Sequence, residues 1–227
     1  MEFSITLIII IITGIISISA FSNQKIIDDL IFYPPAVSQH RQWYRFFSCG
    51  LIHADWAHLF FNMYVLYAFG SGQNKQGVEF IFKDVFEQKG AILYLVMYIS
   101  ALAICLIPTY NKNRDNYGYR SLGASGAVSA VVFSYMLFNP TQGMGLLFLP
   151  VYIPGFLFGI IYLVVSSWLD RKGGSNINHS AHLWGAIYGI IFVIFACRVF
   201  SDYPVLQNFI EQIRHMRASD FIQVGRG

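Results

Sequence analysis

The chain has 227 residues, of which 56% are hydrophobic and only 12% charged. Soluble domains carry about 25% charged residues, so the composition excludes an ordinary water-soluble domain and points to a protein built for a bilayer. The net charge of +3 is small and scattered, with no basic stripe, which argues against a nucleic-acid partner. Cys49, Cys105 and Cys197 form an odd set without paired spacing and read as small buried hydrophobes.

The first apolar run, about Ile5 to Ala20, is rich in isoleucine. Its end, Ile-Ser-Ala-Phe-Ser, has the look of a cleavage site. No Lys or Arg precedes the run, however, so an uncleaved first span is expected. A linker from about Phe21 to Asp55 follows, containing Pro34-Pro35 and the aromatics Phe32, Tyr33, Trp43, Tyr44, Phe46 and Phe47. It is too apolar for a solvated loop and too interrupted to span, which predicts half-helices lying in the headgroup layer. The second span, about Trp56 to Phe69, carries His58 and Asn62 on one face, with His53 just before it. Between Gly70 and Lys89 the apolar residues Val78, Ile81, Phe82, Val85 and Phe86 recur at helical spacing and predict a short surface helix. The third span runs from about Gly90 to Ile107 and is expected to end at Pro108.

The fourth span opens on Gly123-Ala124-Ser125-Gly126 and ends before Asn139-Pro140. Counted from Gly123 to Phe138 it is about 24 Å long, against a hydrocarbon core of about 30 Å. With Asn139-Pro140 at one membrane surface, Ser125 lies several ångströms below the other. A fifth span is expected over about Gly145 to Leu169, weakened in its first half by Pro150, Pro154 and Gly155. The sixth, about Ser180 to Phe200, carries His182 and a Gly185-x-x-x-Gly189 face that lets two helix backbones approach. The fold class expected is therefore all-α, a polytopic six-helix membrane bundle over residues 1–200 with a long interfacial first loop. A polar tail, residues 201–227, carries enough apolar spacing for one short interfacial helix. Six spans place both termini on one side. The basic residues divide almost evenly between the two sides, so the positive-inside rule assigns no orientation.

Chemistry concentrates on Ser125. It begins a helix, where free N–H groups and the dipole favour negative charge, and its glycine neighbours allow close approach. Two readings fit this stretch, a nucleophile or a small-residue packing face. A serine hydroxyl needs a base, and no Asp, Glu or Lys lies well inside the six spans, leaving His58 and His182. His182 sits at a depth like that of Ser125, and the Gly185/Gly189 face would hold it close, giving a Ser–His dyad without an acid member. His58, Asn62 and the Ser125 amide carry the N–H groups an oxyanion needs. Taken singly, each of these polar residues also fits as an interhelical hydrogen-bonding group. A His-Glu-x-x-His zinc motif is absent, as is an intramembrane aspartate pair, so neither a metal nor a cofactor is expected. A transporter would share the broken fifth span and buried polar residues, but no inverted repeat is visible.

In combination these motifs resemble the rhomboid family of intramembrane serine proteases, in its bacterial six-helix form, over about residues 4 to 200. His53-Ala-Asp-Trp-Ala-His58-Leu-Phe-Phe-Asn62, Gly123-Ala124-Ser125-Gly126 and Ala181-His182-Leu183-Trp184-Gly185 with Gly189 carry the likeness. Tyr44-Arg45 stands where the family has Trp-Arg. The resemblance implies that Ser125 is the nucleophile, His182 the general base, and His58 and Asn62 the oxyanion donors. It implies that Arg45 and His53 support the first loop, with Gly123, Gly126, Gly185 and Gly189 structural near the site. It further implies single-pass transmembrane protein substrates, entry beside the second and fifth spans, cytoplasmic termini and residence in a bacterial cytoplasmic membrane. One position departs: where the family often has an aromatic four residues after the nucleophile, this chain has Ser129. That departure motivates the alternative of a weak or inactive relative that binds transmembrane segments without cutting them.

Overall fold

The structure, a computed structural model, describes residues 4–145, 151–172, 178–217, 221, 223 and 224. Helix α1 (Ile5–Phe21) begins at the Ser4 cap. Three short helices make the first loop: α2 (Gln24–Leu30), α3 (Pro34–His40) and α4 (Arg45–Ser48), the last running into a 3₁₀ turn, Cys49–Leu51. Helix α5 (Trp56–Leu66) is capped by Asp55 and continues as a π-helical turn, Tyr67–Ser71. Then come α6 (Val78–Phe86), α7 (Gly90–Ile104), α8 (Ile107–Asn113) and α9 (Ser125–Phe138). A short antiparallel pair, β1 (Gly143–Gly145) and β2 (Val151–Pro154), precedes α10 (Gly155–Lys172) and α11 (His179–Phe200). Helix α12 (Val205–Arg214) and strand β3 (Gln223–Val224) follow, β3 pairing with β2.

On two helices the outward face is more apolar than the inward one. On α1 the exposed residues include Ile8, Ile11, Ile12, Ile15 and Ile18, while Thr6, Thr13, Ser17 and Ala20 are buried. The same inversion marks α10, with Ile160, Ile161, Val164 and Trp168 outward and Gly155, Gly159 and Ser166 inward. Water would penalise such a surface, whereas lipid accepts it and leaves small and polar residues to make the helix contacts. Among the described residues, Val78–Asn113 and His179–Phe200 are long and apolar enough to cross a membrane, and Ile5–Phe21 and Ser125–Phe138 are shorter apolar helices.

Three expectations from sequence need correction. The chain is mostly helical, as expected, but carries one small three-stranded sheet, and the region expected to start the fifth helix is extended: Met144 pairs with Ile153, and α10 begins only at Gly155. The cause is local. A residue before proline is pushed to extended backbone, which suits Ile153, and Pro154 offers no N–H to a helix running through it. Pro150, named for the same weakening, lies outside the described residues. Second, Pro108 opens α8 rather than ending the third helix's run, since a proline in the first turn has no helical bond to lose. Third, the helix expected on the surface, α6, buries Val78, Glu79, Phe82 and Phe86 against the bundle.

Helix α9 is the axis. Eleven of its 14 residues are buried, and it touches α5, α6, α7, α10, α11 and α12. Its closest partner is α11. A Cβ on Gly185 would overlap the Gly126 carbonyl, and one on Gly189 would overlap the Ala130 carbonyl. Only glycine permits that backbone contact, and it fixes the rotation of α11 about α9. The small face that the spacing predicted is therefore a helix–helix seam.

A Ser–His pair between two cavities

Ser125 is the first residue of α9 and His182 lies in the first turn of α11. Across the glycine seam His182 Nε2 and Ser125 Oγ stand 2.6 Å apart, a short hydrogen bond between residues 57 positions apart in the chain. In the tautomer protonated at Nδ1, Nε2 accepts from the serine hydroxyl. The His179 ring packs edge-on against His182, centroids 6.1 Å apart.

The turn that presents Ser125 is clamped by the first loop. Gly123 takes φ +111°, a region glycine enters without strain. Its N–H donates to the Cys49 carbonyl at 2.9 Å, and two residues earlier Ser121 exchanges backbone bonds with Phe32. A relay from α1 completes the clamp. Ser17 Oγ donates to the Leu51 carbonyl (2.9 Å), so it accepts from His53 Nδ1 (3.0 Å). That leaves His53 Nε2 unprotonated, and it accepts the Ala124 N–H at 3.4 Å, next to the serine. His53 is fully buried. Desolvation lowers its pKa to about 3, with His58 pushing the same way and Asp55 opposing. Arg45, also buried, donates from Nη1 to the carbonyls of Asp28 (2.9 Å) and Ile31 (2.7 Å) and from Nε to Gln42 Oε1 (2.6 Å). It thereby satisfies carbonyls left open at the end of α2.

His58 and Asn62 reach the same place from α5. The His58 ring lies against Gly123: a Cβ there would be 2.7 Å from Cε1 and 2.8 Å from Nε2. His58 Nδ1 accepts the Ala54 N–H at 3.4 Å, which assigns the proton to Nε2, on the side of the serine turn. Asn62 Nδ2 donates to the His58 carbonyl at 3.0 Å, and its second N–H remains to be given elsewhere. A Cβ on Gly126 would collide with the Cys105 sulfur, so that residue too is a contact point. Asp55, the one carboxylate among the described residues of the cavity lining, is engaged as the cap of α5, accepting the His58 N–H at 2.7 Å. Among the described residues no cluster of His, Cys, Asp and Glu is arranged to hold a metal ion. All three cysteines are buried free thiols.

Two cavities meet at this pair. One, of about 550 Å³, runs between α5, α9 and α10 and is walled by Phe61, Val65, Phe69, Val132, Phe133 and Tyr162 beside Ser125 and His182. The other, of about 520 Å³, lies towards the first loop, with Asp55, His58, Arg120, Ser121 and Asn178 among its walls. Sequence reasoning missed Ser17, Tyr162 and Asn178. A polar residue in an isoleucine-rich run is a signal for Ser17. Tyr162 carries no comparable signal.

Fold and site together define a helical membrane bundle with a serine–histidine pair at the mouth of its central helix. The Rhomboid domain family matches residues 40–199, more than half of the sequence, and the chain belongs to the rhomboid family. RHOMBOID-like protein 12, mitochondrial, of Arabidopsis thaliana is 32% identical over 143 residues, 61% of this chain and 42% of that protein. The presenilin-associated rhomboid-like protein, mitochondrial, of Mus musculus is 32% identical over 147 residues, 63% of this chain and 35% of its own length, and the Homo sapiens protein of that name is 31% identical over the same span. The chain matches well under half the length of these curated relatives. Rhomboid proteins are membrane-embedded, so this chain is a membrane protein. These relatives are mitochondrial by name and lend no support to the bacterial cytoplasmic membrane expected from sequence.

Proposed function

We propose that this chain is an intramembrane serine protease that cuts membrane proteins within or near their transmembrane segments. The observation that carries the reading is the 2.6 Å contact between Ser125 Oγ and His182 Nε2 where two cavities meet. Six spans are read: α1, α5 with its π turn, α7, α9, α10 and α11, making one membrane domain over residues 1–200 with residues 201–227 as a tail. The termini face the cytoplasm by family resemblance.

In this mechanism the Ser125 hydroxyl passes its proton to His182 Nε2 as Oγ attacks the scissile carbonyl. The tetrahedral oxyanion takes bonds from the Ser125 amide, free at the start of α9, from His58 Nε2–H and from the second N–H of Asn62. The imidazolium then returns its proton to the leaving amine. Water reaching the acyl-enzyme through the cavity beside the first loop gives up a proton to His182 as its oxygen bonds the acyl carbon, and His182 passes that proton to Ser125 Oγ as the acyl–Oγ bond breaks and the acid leaves. A single-pass transmembrane segment, locally unwound, is the substrate, because an intact helix shields its peptide bonds. Supporting this is the cavity between α5, α9 and α10, whose Phe61, Val65, Phe69, Val132 and Phe133 offer apolar contact to a lipid-borne segment beside the polar groups of the site.

Ser125→Ala is expected to abolish cleavage of a transmembrane substrate and labelling by a fluorophosphonate, with expression and thermal stability unchanged. Cleavage that survives in that variant ends the reading. Capture of an intact transmembrane segment by a wild type that no probe labels would instead favour the non-cutting alternative.

A further inference from the structure

Ser129 stands one helical turn, about 6 Å, along α9 from Ser125, at the wall of the cavity between α5, α9 and α10. Opposite it, Tyr162 projects from α10, its hydroxyl 3.1 Å from Ser129 Oγ and its ring 5.5 Å from that of Phe133. Below this point α10 meets α9 through Gly159, where a Cβ would come within 3.1 Å of the Met136 sulfur and 3.3 Å of the Phe133 ring. Above it, no hydrogen bond between side chains of α10 and α9 is found among the described residues. Tyr162 and Phe158, one turn apart, are what α10 contributes to the cavity. The outward face of α10, with Ile160, Ile161, Val164 and Val165, is free to lipid.

We propose that the Ser129–Tyr162 hydrogen bond is a latch that holds α10 against α9 and so sets the size of substrate side chain admitted beside Ser125. This rests on the proposed protease reading. Separation costs the bond between the two hydroxyls but strands neither, since Tyr162 also bonds to Ser166. Ser129 can fall back on the carbonyl four residues earlier in its own helix, so the latch is weak enough to open. Measured side-chain hydrogen bonds between membrane helices correspond to about 3- to 15-fold in an equilibrium. A closed latch brings the Tyr162 ring over the cavity and favours a small residue at the cut. An open one lets α10 swing from the Gly159 contact and widens the cavity. Tyr162 and Ser129 are positioning residues: neither touches the reacting atoms.

The test compares kcat/KM for transmembrane substrates with alanine or phenylalanine immediately before the scissile bond. Tyr162→Phe keeps the ring and Ser129→Ala keeps the helix. Each is expected to shift the ratio towards phenylalanine by about 3- to 15-fold, the double variant by no more than either alone, and Ser129→Thr, which keeps a hydroxyl, is expected to retain the wild-type ratio. A second readout does not need catalysis. Nitroxides placed through Phe60→Cys on α5 and Val164→Cys on α10, with the native cysteines changed to alanine, should move apart in both latch variants. An unchanged ratio in either single variant, additive effects in the double, or an unchanged label distance overturns the latch. A wild type that neither cleaves nor reacts with a fluorophosphonate overturns the protease reading instead, and the label distance then still decides whether the latch exists.

Discussion

Replacing Gly185 by alanine tests whether the α9–α11 seam is what holds the serine and histidine together. The added methyl would sit far inside contact distance of the Gly126 carbonyl, which is backbone and cannot swing aside. Relief requires the two helices to part by about 1 Å, since carbon and oxygen need more than 3 Å between them. His182 is one turn from Gly185 on the same helix and moves with it. The 2.6 Å contact to Ser125 then opens to about 3.6 Å, beyond hydrogen-bond reach. A misplacement of that size costs about 100-fold in rate, and overpacking costs about 1–3 kcal/mol of stability. The assay is the rate of fluorophosphonate labelling of Ser125 in lipid nanodiscs, with thermal unfolding followed beside it. Gly189→Ala makes the same collision one turn further away, at Ala130, and should cost similar stability but less rate. Labelling of Gly185→Ala within threefold of wild type, or a greater rate loss at Gly189, would refute the reasoning.

Glu79 holds the start of α1. Its carboxylate accepts from Ser4 Oγ (2.7 Å) and from the Ile5 and Thr6 amides (2.9 Å each), with Lys83 at 3.1 Å. Glu79→Ala should cost about 2–4 kcal/mol, because charge-assisted bonds to open helix amides are lost together, and accelerated exchange of the first α1 amides would report it; exchange like that of wild type would count against the cap. At the serine turn, His53→Ala should lower stability by about 1–3 kcal/mol and slow labelling, as the Ala124 amide loses its acceptor. The same residue gives the chain a pH dependence. Unfolded His53 binds a proton below about 6.5, but folded His53 only below about 3. The unfolded state therefore binds more protons between those values, and stability falls as pH drops from about 6.5 towards 3, by at most about 1.4 kcal/mol per pH unit. Unfolding curves for wild type and His53→Ala that change equally over that window would remove His53 as the source.

The readable part of this protein was local. Iso-apolar runs, prolines and glycines mark where helices begin and end, because helix geometry repeats within a few residues and each proline acts on its own neighbours. Hence α9 and α11 lie within two residues of their expected bounds. The same locality explains the miss at β1 and β2. Hydropathy there suits a helix, and strand pairing depends on a partner elsewhere in the chain, in this case Gln223–Val224 for one edge.

For the site, sequence named the residue types and their spacing, including the pairing of His58 with Asn62 on one face. It determined the serine at a helix start and a histidine followed by two glycines one turn apart. What only the folded chain decided was which hydroxyl meets which partner: Ser125 with His182, Ser17 with His53, Ser129 with Tyr162, Ser4 with Glu79. Those choices follow from the rotation of each helix about its own axis. That rotation is set by backbone contacts such as Gly185 on Gly126, between elements far apart in sequence, and a local pattern of hydropathy contains no record of it.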